Sequence, residues 1–270
     1  MLFGSISSAI LYLLGFILAI IASYSRSKKL QKISITIVLI GYIFHTIVIG
    51  NMIWKSSFLS NGHFYFSLFS WILLLVYFLL ILRYRIQFLS LTVAPLAFIF
   101  LVSSIVIGKR IVPFPKQMSS LWFGFHIVSL FISIALICIG FGGAIMYLYV
   151  NKKIKDKTGL NSLKKQTYSL EMLDRINHWV VLCAFPLFTL GILSGFIWAR
   201  ISWHRIFSWD VKEIWSLIIW FIFAYLFHQR MAIGWKGKKP AIIIIWIFVL
   251  TVLSFTIINL FFPTHHSFRP

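Results

Sequence analysis

Eight histidines stand in a 270-residue chain that holds only five acidic residues. Neutral imidazole is the usual axial ligand of iron and costs less to bury than a carboxylate, so this inventory admits iron ligation beside the ordinary structural roles open to most of these histidines. A second concentration lies at residues 198–230, where Trp198, Trp203, Trp209, Trp215 and Trp220 place five of the 11 tryptophans within 23 positions. Such a cluster has two readings. It is an interfacial aromatic belt, or it is a surface on which a flat apolar ligand could lie. Asp210 and Glu213 stand beside these indoles, and their spacing predicts a capping box, with Asp210 as N-cap and Glu213 at N3 of the following helix. Cys138 and Cys183 fall inside predicted helices and form no C-x-x-C pair, which points away from a disulfide framework and from thioredoxin-type chemistry.

The elements that must position these groups follow from composition. Hydrophobic residues make up 60% of the chain and charged ones 11%, and mean hydropathy is +0.95. The solvent is therefore lipid. Charge-free intervals at 1–25, 33–54, 56–82, 86–108, 117–151, 176–199, 214–229 and 240–268 predict an all-α, polytopic membrane bundle of eight transmembrane helices, the seventh starting near Asp210. The first interval lacks a basic stretch before its apolar run and an A-x-A-like site, so it is read as helix one rather than a cleaved signal. No turn is long enough for a separate fold, and residues 1–270 read as a single membrane domain carrying a tryptophan-rich outer segment at 198–215.

Orientation comes from the basic residues. The turns after helices one, three, five and seven carry 17 of the 25 Lys and Arg. By the positive-inside rule these turns are cytoplasmic, and both termini lie on the outer, periplasmic side. The net charge of +20 is then explained by topology and by anionic headgroups of the lipid bilayer, with no need of nucleic acid.

This topology sorts the histidines. His126 falls at the outer start of helix five, and His265 and His266 fall beyond the outer end of helix eight, on the face of the tryptophan segment. His228 falls at the inner end of helix seven, next to Arg230, as a headgroup-level residue or a ligand. His45, in the middle of helix two, reads as an interhelical hydrogen-bonding group or as a ligand. His63, His178 and His204 read as solvated interfacial residues. Arg200, Arg205 and Lys212 cluster beside the indoles, as partners of an anionic ligand or as snorkelling anchors.

The run Trp203-His204-Arg205-Ile206-Phe207-Ser208-Trp209-Asp210-Val211-Lys212-Glu213-Ile214-Trp215 resembles the tryptophan-rich signature of the CcsA/CcmC haem-handling family of cytochrome c assembly. Trp203, Trp209, Asp210, Lys212, Glu213 and Trp215 match that pattern, whereas His204 stands where glycine is usual and Phe207 where tryptophan is usual. The upstream stretch Phe185-Pro186-Leu187 to Leu190-Gly191-Ile192 before Trp198 is similar to the same family. The resemblance covers residues 120–268 well and the first half loosely.

That resemblance implies haem b, held as substrate rather than as a permanent cofactor. It implies that His126 and His266 are axial ligands at the outer face and that His228 is a ligand to a second haem within the membrane. His265 is an alternative to His266. The contact surface so implied comprises Trp198, Trp203, Trp209, Asp210 and Trp215, with Arg200 and Arg205 near the propionates. The function implied is presentation of haem for covalent attachment to apocytochrome c, as part of a thioether-forming holocytochrome c synthase complex. No catalytic side chain is assigned, because the chemistry belongs to the haem and the thiols. Expected partners are a ResB/CcsB-like membrane subunit, apocytochrome c and a thioredoxin-like thiol reductant, in the inner (plasma) membrane. A HemX-like regulator of haem biosynthesis carries a similar signature and is the alternative. A b-type electron carrier would need paired histidines on facing helices, whereas His45 and His228 fall at different depths.

Overall fold

We describe residues 2–54, 62–84, 86–107, 121–156, 168–207 and 209–254 of the chain from a computed structural model. Among them are eight α-helices: α1 (Leu2–Ser25), α2 (Lys28–Trp54), α3 (Gly62–Tyr84), α4 (Ser90–Ile107), α5 (Leu121–Lys155), α6 (Leu170–Trp203), α7 (Val211–Met231) and α8 (Lys238–Leu253). A 3₁₀ turn, Gln87–Leu89, leads into α4. The first seven helices are long and apolar enough to cross a bilayer; α8 has 16 described residues of the same character. The eight expected helices are therefore present, and a membrane requires this class because each backbone N–H and C=O must be satisfied within its own segment.

The chain divides into two compact units, Met1–Ser119 with Phe268–Pro270, and Ser120–Ser267. In the first, α1 packs on α2 and α4, and α3 packs on α4 and α2. The buried face of α1 is Ser5, Ser8, Ala9, Tyr12, Gly15, Ala19 and Ala22, a stripe of mostly small residues at helical spacing. Lipid supplies no hydrophobic drive between helices, so close backbone approach and interhelical hydrogen bonds hold them together. At Gly15 the approach leaves no room for a side chain, because a Cβ would collide with Val38, and the Ser34 hydroxyl donates to the Gly15 carbonyl at 2.7 Å. His45 is fully buried, with Nδ1 3.0 Å from the Tyr12 hydroxyl and Nε2 2.8 Å from the Ser67 hydroxyl. It thus links α1, α2 and α3 with both ring nitrogens engaged. His63, expected to be solvated, is half-buried and meets Ser104 of α4, its Nδ1 2.8 Å from the Ser104 carbonyl oxygen. Its ring turns inward to satisfy a partner that composition cannot reveal.

In the second unit α5 packs on α6 and α8, while α7 packs on α6 and α8. Helices of 35 and 34 residues are about 50 Å long and exceed the ~30 Å hydrocarbon core. The charge-free interval 176–199 therefore measured only the lipid-buried part of α6. The helix itself continues through Asp174 and Arg175 at one end and to Trp203 at the other. Its α5 face is tightly apposed. The Ser133 hydroxyl donates to the Ala184 carbonyl at 2.8 Å, and Cβ atoms at Gly140 and Gly143 would collide with Val180 and Asn177. At the opposite end from Trp203, Arg230 of α7 pairs with Asp174 of α6 at 3.0 Å. The same carboxylate accepts from the Gly237 backbone N–H at 2.9 Å, tying the α7–α8 connection to α6.

Candidate functional site

Within the second unit, the start of α5, the end of α6, the start of α7 and the end of α8 enclose a cavity of about 140 Å³. Each helix presents one stripe at three- and four-residue spacing: His126, Leu130 and Ile134 from α5; Phe188, Ile192, Gly195 and Ala199 from α6; Lys212, Ser216 and Ile219 from α7. Glu213 and Trp198 join them, and Thr251 with Ser254 close the α8 side. The wall is mainly apolar, with one imidazole, one ammonium and one carboxylate placed in it. That composition suits a largely apolar ligand with a few polar points of fixation. The volume lies below the roughly 300–1,000 Å³ of pockets that enclose a whole ligand, so the cavity has room for an edge of a large one.

His126 is fixed by two contacts. Its Nδ1 lies 2.7 Å from the Gly191 carbonyl oxygen, and its ring lies 6.2 Å from that of Trp198 at an interplanar angle of 18°. Trp198 is itself buried and packs on Phe123 at 5.0 Å. The tryptophan segment is therefore not one outer connection, as its spacing suggested. Trp198 is an interior residue of α6, and the helix runs to Trp203, whose side chain is outside the described residues. The corner between α6 and α7 is left with only a few residues.

That corner is closed by backbone conformation. Arg200 donates from Nη1 to the His204 carbonyl at 2.9 Å, and His204 ends α6 at φ 57°, ψ 18°. Glycine is the natural occupant of such a left-handed position, and here a histidine holds it. Trp209 also has positive φ, at 58°. It projects outward, 78% exposed, with Phe207 edge-on to it at 5.0 Å. Asp210 is the N-cap of α7, as expected, and its carboxylate accepts from Lys212 N at 2.9 Å. The cap thus fixes the first turn that turns Lys212 and Glu213 toward the cavity.

The remaining candidates separate. Trp215 donates from Nε1 to the Leu250 carbonyl at 2.9 Å and Trp220 to the Thr189 hydroxyl at 3.0 Å, so these indoles join α7 to α8 and to α6. Arg200 and Arg205 are exposed, and among the described residues Lys212 is the basic group lining the cavity. His228 is exposed near the far end of α7, away from the cavity, and His204 is exposed at the corner. His265 and His266 lie outside the described residues. Sequence reasoning missed Gly195, Ser216, Thr251 and Ser254. The signal for the first was present in the four-residue spacing of Gly191, Gly195 and Ala199, a stripe that lets a neighbour come close.

Residues 59–266 match the family described as Cytochrome C assembly protein. The chain belongs to this cytochrome c assembly family. It is similar to cytochrome c biogenesis protein CcsA of Guillardia theta, 28% identical over 97% of this chain and 91% of that protein. It is also similar to CcsA of Chlamydomonas reinhardtii, 35% identical over 58% of this chain and 43% of that protein, and to CcsA of Microcystis aeruginosa, 41% identical over 41% and 34%. The matched regions thus span under half of the last two relatives. Among solved structures, cytochrome c heme lyase CcmF shares the fold at TM-score 0.65 and 17% identity, over 95% of this chain and 45% of that one. This member of the family is accordingly a multi-pass membrane protein of cytochrome c maturation.

Proposed function

We propose that the chain holds haem b as a substrate at the cavity end of its second unit and presents it for attachment to apocytochrome c. The observation that carries this reading is the convergence of His126, Trp198, Lys212 and Glu213 on one mainly apolar cavity. Their elements are separated in sequence, and a bound group touching all of them would give the arrangement a common purpose. His126 supplies one axial ligand. Ser254 lines the cavity, and His266, which follows it in the sequence, supplies the other. Lys212 neutralises a propionate, and the outward Trp209 covers the part of the macrocycle that the cavity cannot enclose. His228, at the other end of α7, serves a second haem within the membrane.

The distribution of basic turns supports an outer-side position for the cavity, in an inner (plasma) membrane or its equivalent. There the cysteine thiols of a C-x-x-C-H segment add across the haem vinyls, sulfur bonding the inner vinyl carbon and a proton going to the terminal one. Orientation is the protein's contribution to that step. A ResB/CcsB-like membrane subunit and a thioredoxin-like reductant that keeps the thiols reduced complete the system.

The test is the absorption spectrum and haem content of the protein purified from membranes, with His126→Ala and His266→Ala alongside. Loss of haem or a changed spectrum in both is expected; unchanged haem in both would refute the ligand assignment. Deleting the gene separates maturation from regulation. Loss of covalently bound haem is expected, whereas normal c-type cytochromes with altered haem precursors would replace this reading with that of a HemX-like regulator.

A further inference from the structure

One histidine of α5 is held by three residues of α6. Gly191, Gly195 and Trp198 recur at i, i+4 and i+7 and so share a stripe of the helix. Each contributes differently. The Gly191 carbonyl, 2.7 Å from His126 Nδ1, can only accept, so Nδ1 carries the proton and, in neutral imidazole, Nε2 carries the lone pair. The Ser194 hydroxyl donates to the same carbonyl at 3.0 Å and to that of Leu190 at 2.7 Å; a hydroxyl donor on that side leaves the acceptor role of Gly191 unchanged.

Gly195 supplies space. A Cβ there would stand 2.6 Å from His126 Nδ1 and 2.7 Å from Cε1, closer than real Cβ atoms come, so any side chain must push the ring off its carbonyl. Trp198, nearly parallel to the imidazole at 18°, sets the tilt of the ring plane. Gly124, two residues before His126 and so on another side of α5, has nothing within 4 Å of an added Cβ, which makes it a control position on the same helix.

We propose that Gly191, Gly195 and Trp198 form a seat that selects the Nδ1–H tautomer of His126 and leaves Nε2 as the nitrogen offered to haem iron. This rests on the reading of His126 as a haem ligand. Gly191 and Gly195 are positioning residues, acting through the imidazole. A second consequence follows from donation to a carbonyl, which raises the basicity of the opposite nitrogen. A more basic axial ligand stabilises ferric over ferrous iron, so the seat lowers the potential at which haem is held.

The experiment compares full-length wild type, Gly195→Ala, Gly124→Ala and His126→Ala, each purified from membranes, by haem content, spectrum and midpoint potential. Gly195→Ala should lose haem affinity by about tenfold or more, the scale of outer-shell losses at metal ligands, and its remaining haem should show a shifted spectrum and a raised potential. Gly124→Ala should match wild type. Wild-type content, spectrum and potential in Gly195→Ala, with haem lost in His126→Ala, would overturn the seat while leaving the ligand in place. Equal haem in wild type and His126→Ala would instead remove the ligand reading. A measurement that needs no packing variant is ¹⁵N NMR of histidine-labelled wild type stripped of haem, with His126 assigned by difference from His126→Ala. Protonated Nδ1 with bare Nε2 is expected, and the reverse tautomer would overturn the proposal.

Discussion

Arg230 and Arg175 allow the worth of burial to be measured inside one protein. Each makes an ion pair of nearly the same length, 3.0 Å to Asp174 and 2.9 Å to Glu171. Side-chain exposure differs widely: 1% and 15% for Arg230 and Asp174, against 64% and 82% for Arg175 and Glu171. Removing Arg230 leaves a carboxylate with little water, and breaking a buried pair from one side costs about 3–5 kcal/mol. Arg230→Met should fall in that range. Asp174→Leu should cost about 1 kcal/mol more, because the Gly237 N–H loses its acceptor as well. The double variant removes both charges and should cost clearly less than the sum of the two. Arg175→Ala should cost no more than about 0.5 kcal/mol. The assay is denaturant unfolding in mixed micelles, read by a thiol-reactive dye on buried Cys138 in a Cys183→Ser background. If Arg230→Met cost under about 1 kcal/mol, like the exposed pair, water would be reaching the bridge and the burial argument would be wrong.

Three further outcomes follow from the same geometry. His204→Gly should stabilise the protein by about 0.5–1 kcal/mol, since it relieves a left-handed backbone that costs an L-residue roughly 1–2 kcal/mol and gives back part of the gain as chain entropy; the dye assay reads this directly. Trp215→Phe should cost about 1–3 kcal/mol because the Leu250 carbonyl loses its indole donor in a partly buried setting, and an unfolding midpoint equal to that of wild type in the same assay would refute this contribution. Lys212→Met should reduce haem retention about tenfold, the scale of a lost charge-assisted hydrogen bond, whereas Arg205→Ala should leave retention unchanged in the same purification.

The helices were legible in the sequence because lipid imposes one rule over long stretches, and charge-free length reports it. Their ends were less so. α6 carries Asp174 and Arg175 inside the helix, since a helix crossing into the headgroup region has no reason to stop at a charge. His63 shows a different limit: its partner Ser104 lies on another helix, and nothing near His63 in sequence encodes that meeting. At the cavity, the residue types were visible but their directions were not. Arg200, Arg205 and Lys212 look equivalent as a basic cluster. Only the cap on α7 turns Lys212 to the cavity, while Arg200 is spent on the carbonyl of His204.

The run from Trp209 to Glu213 is best understood as a corner with divided labour. A bulky aromatic at φ 58° is strained by roughly 1–2 kcal/mol, and such strain persists only where neighbours over-determine the conformation. Here the Asp210 cap on one side and Phe207 against the indole on the other do so. What the strain accomplishes is a change of direction within two residues: Trp209 faces outward, Asp210 closes the helix end, and Lys212 and Glu213 face the cavity. On an uninterrupted helix residues at i, i+3 and i+4 share a face, so Trp209 would point the same way as Lys212 and Glu213. The left-handed residue followed at once by a capping aspartate is therefore what lets one short run of sequence present an aromatic surface outside the cavity and two charges inside it.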